Sequence, residues 1–142
     1  VSSAGAERFA TDLRIRLEAL GVRADWDRIR LSRARAGERS GRARLRERPV
    51  ASLAGRRVLL LTDVVSTGIS IDFLRRWVNR QGARDNAICT LLDRPDARIT
   101  PTPVRYIAFD APGELVVGYG LHLRRLFADL DHIAVLVRRP DE

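Results

Sequence analysis

Residues 58–73, VLLLTDVVSTGISIDF, bring together the hydroxyls of Ser66, Thr67 and Ser70 with a glycine, Gly68, directly after an apolar run that ends in Asp63. A turn of this composition between a strand and a helix suits an anion. The glycine allows close backbone approach, the hydroxyls donate, and the first N–H groups of the helix have no partners within it. The competing interpretation is an ordinary N-cap, with Ser66 or Thr67 satisfying the start of the helix. A Walker loop is excluded, because no G-K-[ST] follows. Asp63, Asp93 and Asp110 each stand where an apolar run stops, which makes three acids on one rim a second candidate feature. Their other interpretation is the capping of turns.

The elements that must position these groups are legible from periodicity. Phe9, Leu13, Leu17 and Leu20 recur at helical spacing between Glu7 and Leu20, with Gly21 as the stop. The segment DRIRLS alternates and predicts a short strand. RRVLLLTD (56–63) is a continuous apolar run of strand length, as expected for a strand buried on both faces of a parallel sheet. Ile69, Phe73, Leu74, Trp77 and Val78 form one stripe over 69–81, closed by Gly82. NAICTLLD (86–93), RYIAFD (105–110) and HIAVLVR (132–138) predict further strands. Strand–helix–strand spacing of this kind gives right-handed crossovers, an α/β fold, and ligands beyond the carboxyl ends of the strands.

The chain has 142 residues, enough for one domain with a real core, and no internal repeat is visible. A composition of 45% hydrophobic and 31% charged residues reads as globular, and no apolar run has the length of a membrane span. The single Cys89 excludes an intramolecular disulfide, and with no signal pattern the cytosol is the expected compartment. The opening VSSAGAERF and the absence of methionine predict a trimmed or processed N-terminus. Net charge is +8, and every basic residue is arginine. Coding bias explains that most simply; a surface for nucleic acid or phosphorylated ligands is the alternative. The charge concentrates in 28–48, and a mobile basic loop is expected over 33–53.

DVVSTGIS resembles the phosphoribosyl-pyrophosphate loop of type I phosphoribosyltransferases, whose usual form is [ED]-D-[IV]-[IV]-D-T-G-x-T after a buried strand. LLDRPDARI (91–99), RYIAFDAPGELVVGYGL (105–121) and DLDHIAVL (129–136) resemble, in order and spacing, the C-terminal half of hypoxanthine-guanine phosphoribosyltransferases, and ERFATDL (7–13) their early helix. The resemblance implies a type I phosphoribosyltransferase-like fold over 1–142, with a mostly parallel central sheet flanked by helices. It also implies a 5′-phosphate cradle at Ser66, Thr67, Gly68, Ile69 and Ser70, and a ligand that is a nucleotide or phosphoribosyl pyrophosphate. A dimer or tetramer is implied too, with Trp77 either in such a contact or packed in the core.

The same resemblance shows where the chain departs from the family. Thr62 stands for one carboxylate of the acid pair, and Asp63 remains to hold ribose hydroxyls and influence Mg²⁺. Ser66 replaces the aspartate assigned as general base, a role serine cannot fill at neutral pH without a partner for its proton. His122 replaces a Mg²⁺-binding aspartate, although Mg²⁺ prefers oxygen. Arg94 corresponds to the lysine that reads the purine 6-oxo group, and Leu115, with Val116 beside it, to the aromatic that stacks on the base. Ala128 stands for a pyrophosphate arginine, Ser3-Ala4-Gly5 for an L-K-G turn, and Ser32-Arg33 for the Ser-Tyr of a closing loop, near Arg35 and Arg39. The expectation is a phosphate-binding or regulatory homologue with its catalytic, metal and pyrophosphate positions degraded. The alternative is an active enzyme of changed substrate or chemistry, using Asp63, Asp93, Arg94 and His122. RNA binding through the arginine-rich loop is a third expectation, with a pyrimidine-operon regulator as precedent in the wider family.

Overall fold

The computed structural model describes residues 4–32 and 44–137. Helix α1 (Ala4–Ala19) leads to strand β1 (Arg30–Ser32), which pairs antiparallel with β2 (Arg44–Glu47). Then come β3 (Arg57–Val65), α2 (Ile69–Arg80), β4 (Asp85–Asp93), a 3₁₀ turn at Pro95–Ala97, β5 (Tyr106–Asp110), β6 (Leu115–Val117) and β7 (Ala134–Leu136). Strands β3, β4 and β5 form a parallel sheet in that order, the α/β architecture that the crossover spacing predicts. Among the described residues no helix is long and apolar enough to cross a membrane.

The core lies between the sheet and α2. Leu60, Val65, Ile71, Leu74, Val78 and Ile88 are buried together, and Leu31 and Leu45 of the β1–β2 pair pack onto them with Phe73 and Trp77. Trp77 is therefore a packed, half-buried residue. Leu74, Val78 and Ile88 are wholly inaccessible, which anchors α2 by its mid-length and leaves its first turn to face the sheet end.

Several expectations change. Within the span 33–53 expected as a basic loop, residues 44–47 form a strand whose Leu45 packs against the core; residues 33–43, with Arg33, Arg35 and Arg39, lie outside the described residues, as does Ser3. Ile69 leaves the buried stripe and is 51% exposed, and Ile71 takes its place. Leu20 is exposed rather than packed. Among the described residues strand β5 is an edge of the sheet, and all five of its residues are exposed. The last apolar run does not join the parallel sheet but pairs antiparallel with β6, in the register Leu115–Leu136 to Val117–Ala134.

Candidate functional site

Strand β3 runs two residues past Asp63 to Val65, which is in register with Asp93, itself in register with Asp110. The sheet therefore ends at Val65, Asp93 and Asp110, and the segment 66–70 leaves from that end. The N-cap of α2 is neither Ser66 nor Thr67 but Gly68, in the left-handed conformation (φ 83°). No side chain caps this helix start. The hydroxyls of Ser66, Thr67 and Ser70 make no hydrogen bond to any described residue. These hydroxyls and the first-turn N–H groups are what an anion needs. Asp72, buried in the same turn, would oppose an anion but is ion-paired with Arg76 at 2.8 Å and Arg75 at 3.5 Å.

The loop is held from below by the β4–β5 connection. The amides of Ile99 and Thr100 donate to the Thr67 carbonyl at 2.9 and 3.2 Å. A Cβ on Gly68 would overlap Thr100 Oγ1 and lie 3.0 Å from Arg98 Cδ, so only glycine fits here. Arg98 in turn is ion-paired with buried Asp93.

Asp63 stands back from the rim. It is 9% exposed, its Oδ1 accepts the Val64 amide at 2.9 Å and the Thr62 hydroxyl at 3.3 Å, and a Cβ on Gly5 of α1 would come within 3.1 Å of its Oδ2. The three-acid rim is thus broken up, with Asp63 beneath α1, Asp93 paired and only Asp110 exposed. Arg94 donates from Nη2 to the Gly113 carbonyl at 2.7 Å, which brings its guanidinium beside the turn into Leu115 and Val116. Leu115 is 47% exposed and Val116 half-buried. His122 is exposed, and its Nδ1 accepts the Arg125 amide at 3.4 Å across a turn. Tyr119 links this region to α1 by donating its hydroxyl to Asp12, with the Arg8 guanidinium 4.7 Å from its ring centre. Desolvation first, then that hydrogen bond, pushes its phenol up to about 12.

A cavity of about 670 Å³ is lined by Glu18, Gly21, Arg23, Ala24 and Asp25, at the far end of α1. Thirteen residues of helix separate Glu18 from Gly5, a rise of about 20 Å, so the cavity is not part of this site.

The sequence is 33% identical over 133 residues to the hypoxanthine-guanine phosphoribosyltransferase of Mycobacterium avium, covering 93% of this chain and 64% of that protein. It is 34% identical over 97 residues to the Streptococcus pneumoniae protein of the same name, covering 68% of this chain and 54% of the other. The fold superposes on a hypoxanthine phosphoribosyltransferase from Staphylococcus aureus with a TM-score of 0.84 at 27% identity, over 94% of this chain and 71% of that one. The chain is thus similar in sequence and in fold to hypoxanthine-guanine phosphoribosyltransferases. A Trypanosoma cruzi hypoxanthine phosphoribosyl transferase gives a TM-score of 0.87 at 27% identity, over 94% and 69% of the two chains. No protein-family model matches. The chain thus spans 64% of the length of the Mycobacterium avium protein and 54% of that of the Streptococcus pneumoniae protein, under two thirds of either.

Within this phosphoribosyltransferase-like fold, residues 66–70 and Arg94 leave the same sheet end, and Arg94 meets the approach to Leu115. Among the described residues the Ser66 hydroxyl makes no hydrogen bond to a group that could take its proton. Of the positions that the family resemblance assigns to Mg²⁺, Asp63 keeps its carboxylate, and an ion held mainly by substrate phosphates and water needs only one or two such groups. No three of His, Cys, Asp and Glu come together among the described residues, Asp63 is already hydrogen-bonded, and His122 offers nitrogen. Arg98, Thr100 and Thr102 were not anticipated from the sequence. Their only local signal is an arginine five residues after a strand-ending aspartate.

Proposed function

We propose that this chain binds the 5′-phosphate of a nucleotide or of phosphoribosyl pyrophosphate at Ser66–Ser70, as a binding or regulatory homologue that does not run ordinary purine salvage at a useful rate. The observation that carries this is the cluster of three hydroxyls without hydrogen-bond partners among the described residues, beside an uncapped helix start. What supports the second part is Ser66, a residue with no partner base where the family resemblance calls for an acid. Loss of a general base costs about 10²–10⁴-fold on its own. The cytosol, where free nucleotides are found, is the compartment this reading calls for.

Calorimetry with GMP, IMP and phosphoribosyl pyrophosphate tests the binding, and a product-detecting assay with hypoxanthine and guanine tests the chemistry. The expected result is heat at sub-millimolar to millimolar ligand, guanosine binding at least about tenfold more weakly than GMP, and turnover at background. No heat at millimolar ligand removes the binding part. Ordinary transfer rates remove the catalytic part.

A second reading, an active transferase with altered substrate, draws on Arg94 being anchored beside Leu115, so that a base-binding wall is still built. It predicts product from some other nucleophile, abolished in Asp63→Asn, and it ends if a broad screen yields none.

Strand β5 supports assembly into a homo-oligomer, dimer or tetramer. Tyr106, Ile107 and Phe109 lie on an open sheet edge, and Phe109 is 61% exposed. Apolar edges of this kind are normally covered. Sedimentation is expected to give a multiple of the chain mass at micromolar concentration, shifted toward the single-chain mass in Phe109→Glu. A wild-type protein that sediments as one chain would end this assignment.

A further inference from the structure

The Asp93–Arg98 ion pair is more deeply set than any other among the described residues, with side-chain exposures of 16% for Arg98 and 8% for Asp93. Arg98 reaches Asp93 through Nη2 and the Thr102 carbonyl through Nη1 at 3.5 Å, while its Nε is buried with no partner. A guanidinium this poorly satisfied is a costly way to tether a loop, so its position calls for a reason beyond stability. The residues that follow it supply one. Ile99 and Thr100 turn the Thr67 carbonyl downward through their amides, and the Thr100 hydroxyl adds a third donor at 3.4 Å. Arg98 Cδ and Thr100 Oγ1 are also the atoms against which the Gly68 backbone lies. The Thr67 carbonyl is thus held by donors of 99–100, while Thr67 itself is exposed and its hydroxyl makes no hydrogen bond among the described residues.

We propose that Arg98 is a positioning residue for the phosphate cradle. Its pairing with Asp93 fixes the height of 98–102 under Thr67–Gly68 and so the aim of the N–H groups, without contact with the ligand. This inference rests on the phosphate-binding reading above.

The test compares Arg98→Lys, Arg98→Met and the double variant Asp93→Asn/Arg98→Met, each measured for thermal stability and for affinity toward GMP and guanosine. The double variant avoids stranding the Asp93 charge and keeps the measurement possible if Arg98→Met fails to fold. The expected result is GMP affinity about tenfold weaker in the double variant, as for the loss of one or two well-aimed hydrogen bonds, with guanosine affinity unchanged. Arg98→Lys restores part of it. Equal GMP affinity in wild type and the folded double variant would overturn the inference and leave the phosphate-binding reading standing. If the wild type binds no phosphorylated ligand at millimolar concentration, both fall together.

Discussion

Gly68→Ala should both destabilise the protein and empty the cradle. The residue holds φ 83°, where an alanine costs about 1–2 kcal/mol relative to glycine. The new methyl would also overlap Thr100 Oγ1 and press on Arg98 Cδ, and crowding in a packed region costs about 1–3 kcal/mol more. The sum, about 2–5 kcal/mol, corresponds to a fall in Tm of roughly 10 °C for a chain of this size. The overlap is with a side-chain hydroxyl that can rotate, which favours the lower half of that range. Relief requires 98–102 to move away from Thr67, however, and that movement disturbs the hydrogen bonds that orient the cradle. Affinity for GMP should therefore fall at least about tenfold even at temperatures where the variant is folded. An unchanged Tm with unchanged affinity would mean that the 98–102 segment does not support the loop.

Much of this arrangement could be read from the sequence, and the failures have physical causes. Strands β3 and β4 and helix α2 are visible because buried parallel strands and a one-sided helix leave unambiguous patterns. The end of β3 is misread because Asp63 looks like a terminator, whereas α1 folds over it and buries it. That contact links residues nearly sixty positions apart and leaves no local signature. The N-cap is misplaced for a related reason: hydroxyl residues usually cap, but a left-handed glycine one or two positions later takes the role and leaves Ser66 and Thr67 without hydrogen-bonded hydroxyls. The pairing of β6 with β7 escapes notice because each strand has three residues, too few for alternation to register. Of the candidate site, the proposed phosphate loop is legible as composition, while the packing of Arg98 and Thr100 against it depends on how the β4–β5 connection folds back.

The second large effect is expected from Leu74→Ala, which separates the core from the cradle. Leu74 is fully inaccessible in the middle of α2, packed among Leu60, Ile71, Val78 and Ile88. Removing its branched end leaves a cavity that the sheet on one side and the β1–β2 pair on the other cannot easily fill, at a cost of about 2–5 kcal/mol. That is a large share of the 5–15 kcal/mol by which domains are usually stable, so Tm should fall by about as much as in Gly68→Ala or more. The consequences for binding should differ. Leu74 lies more than a helical turn beyond Gly68, and none of the hydrogen bonds that tie Thr67 to 99–100 passes through it. Well below its Tm, Leu74→Ala should hold GMP with near wild-type affinity, because ligand binding then draws on a folded population whose cradle is unaltered. Matched losses of stability with unequal losses of affinity would locate phosphate binding in the geometry at Thr67–Gly68 rather than in the general firmness of the domain. If Leu74→Ala weakened GMP binding as much as Gly68→Ala at the same fraction folded, the cradle would have no local geometry of its own, and its affinity would follow the packing of α2 as a whole.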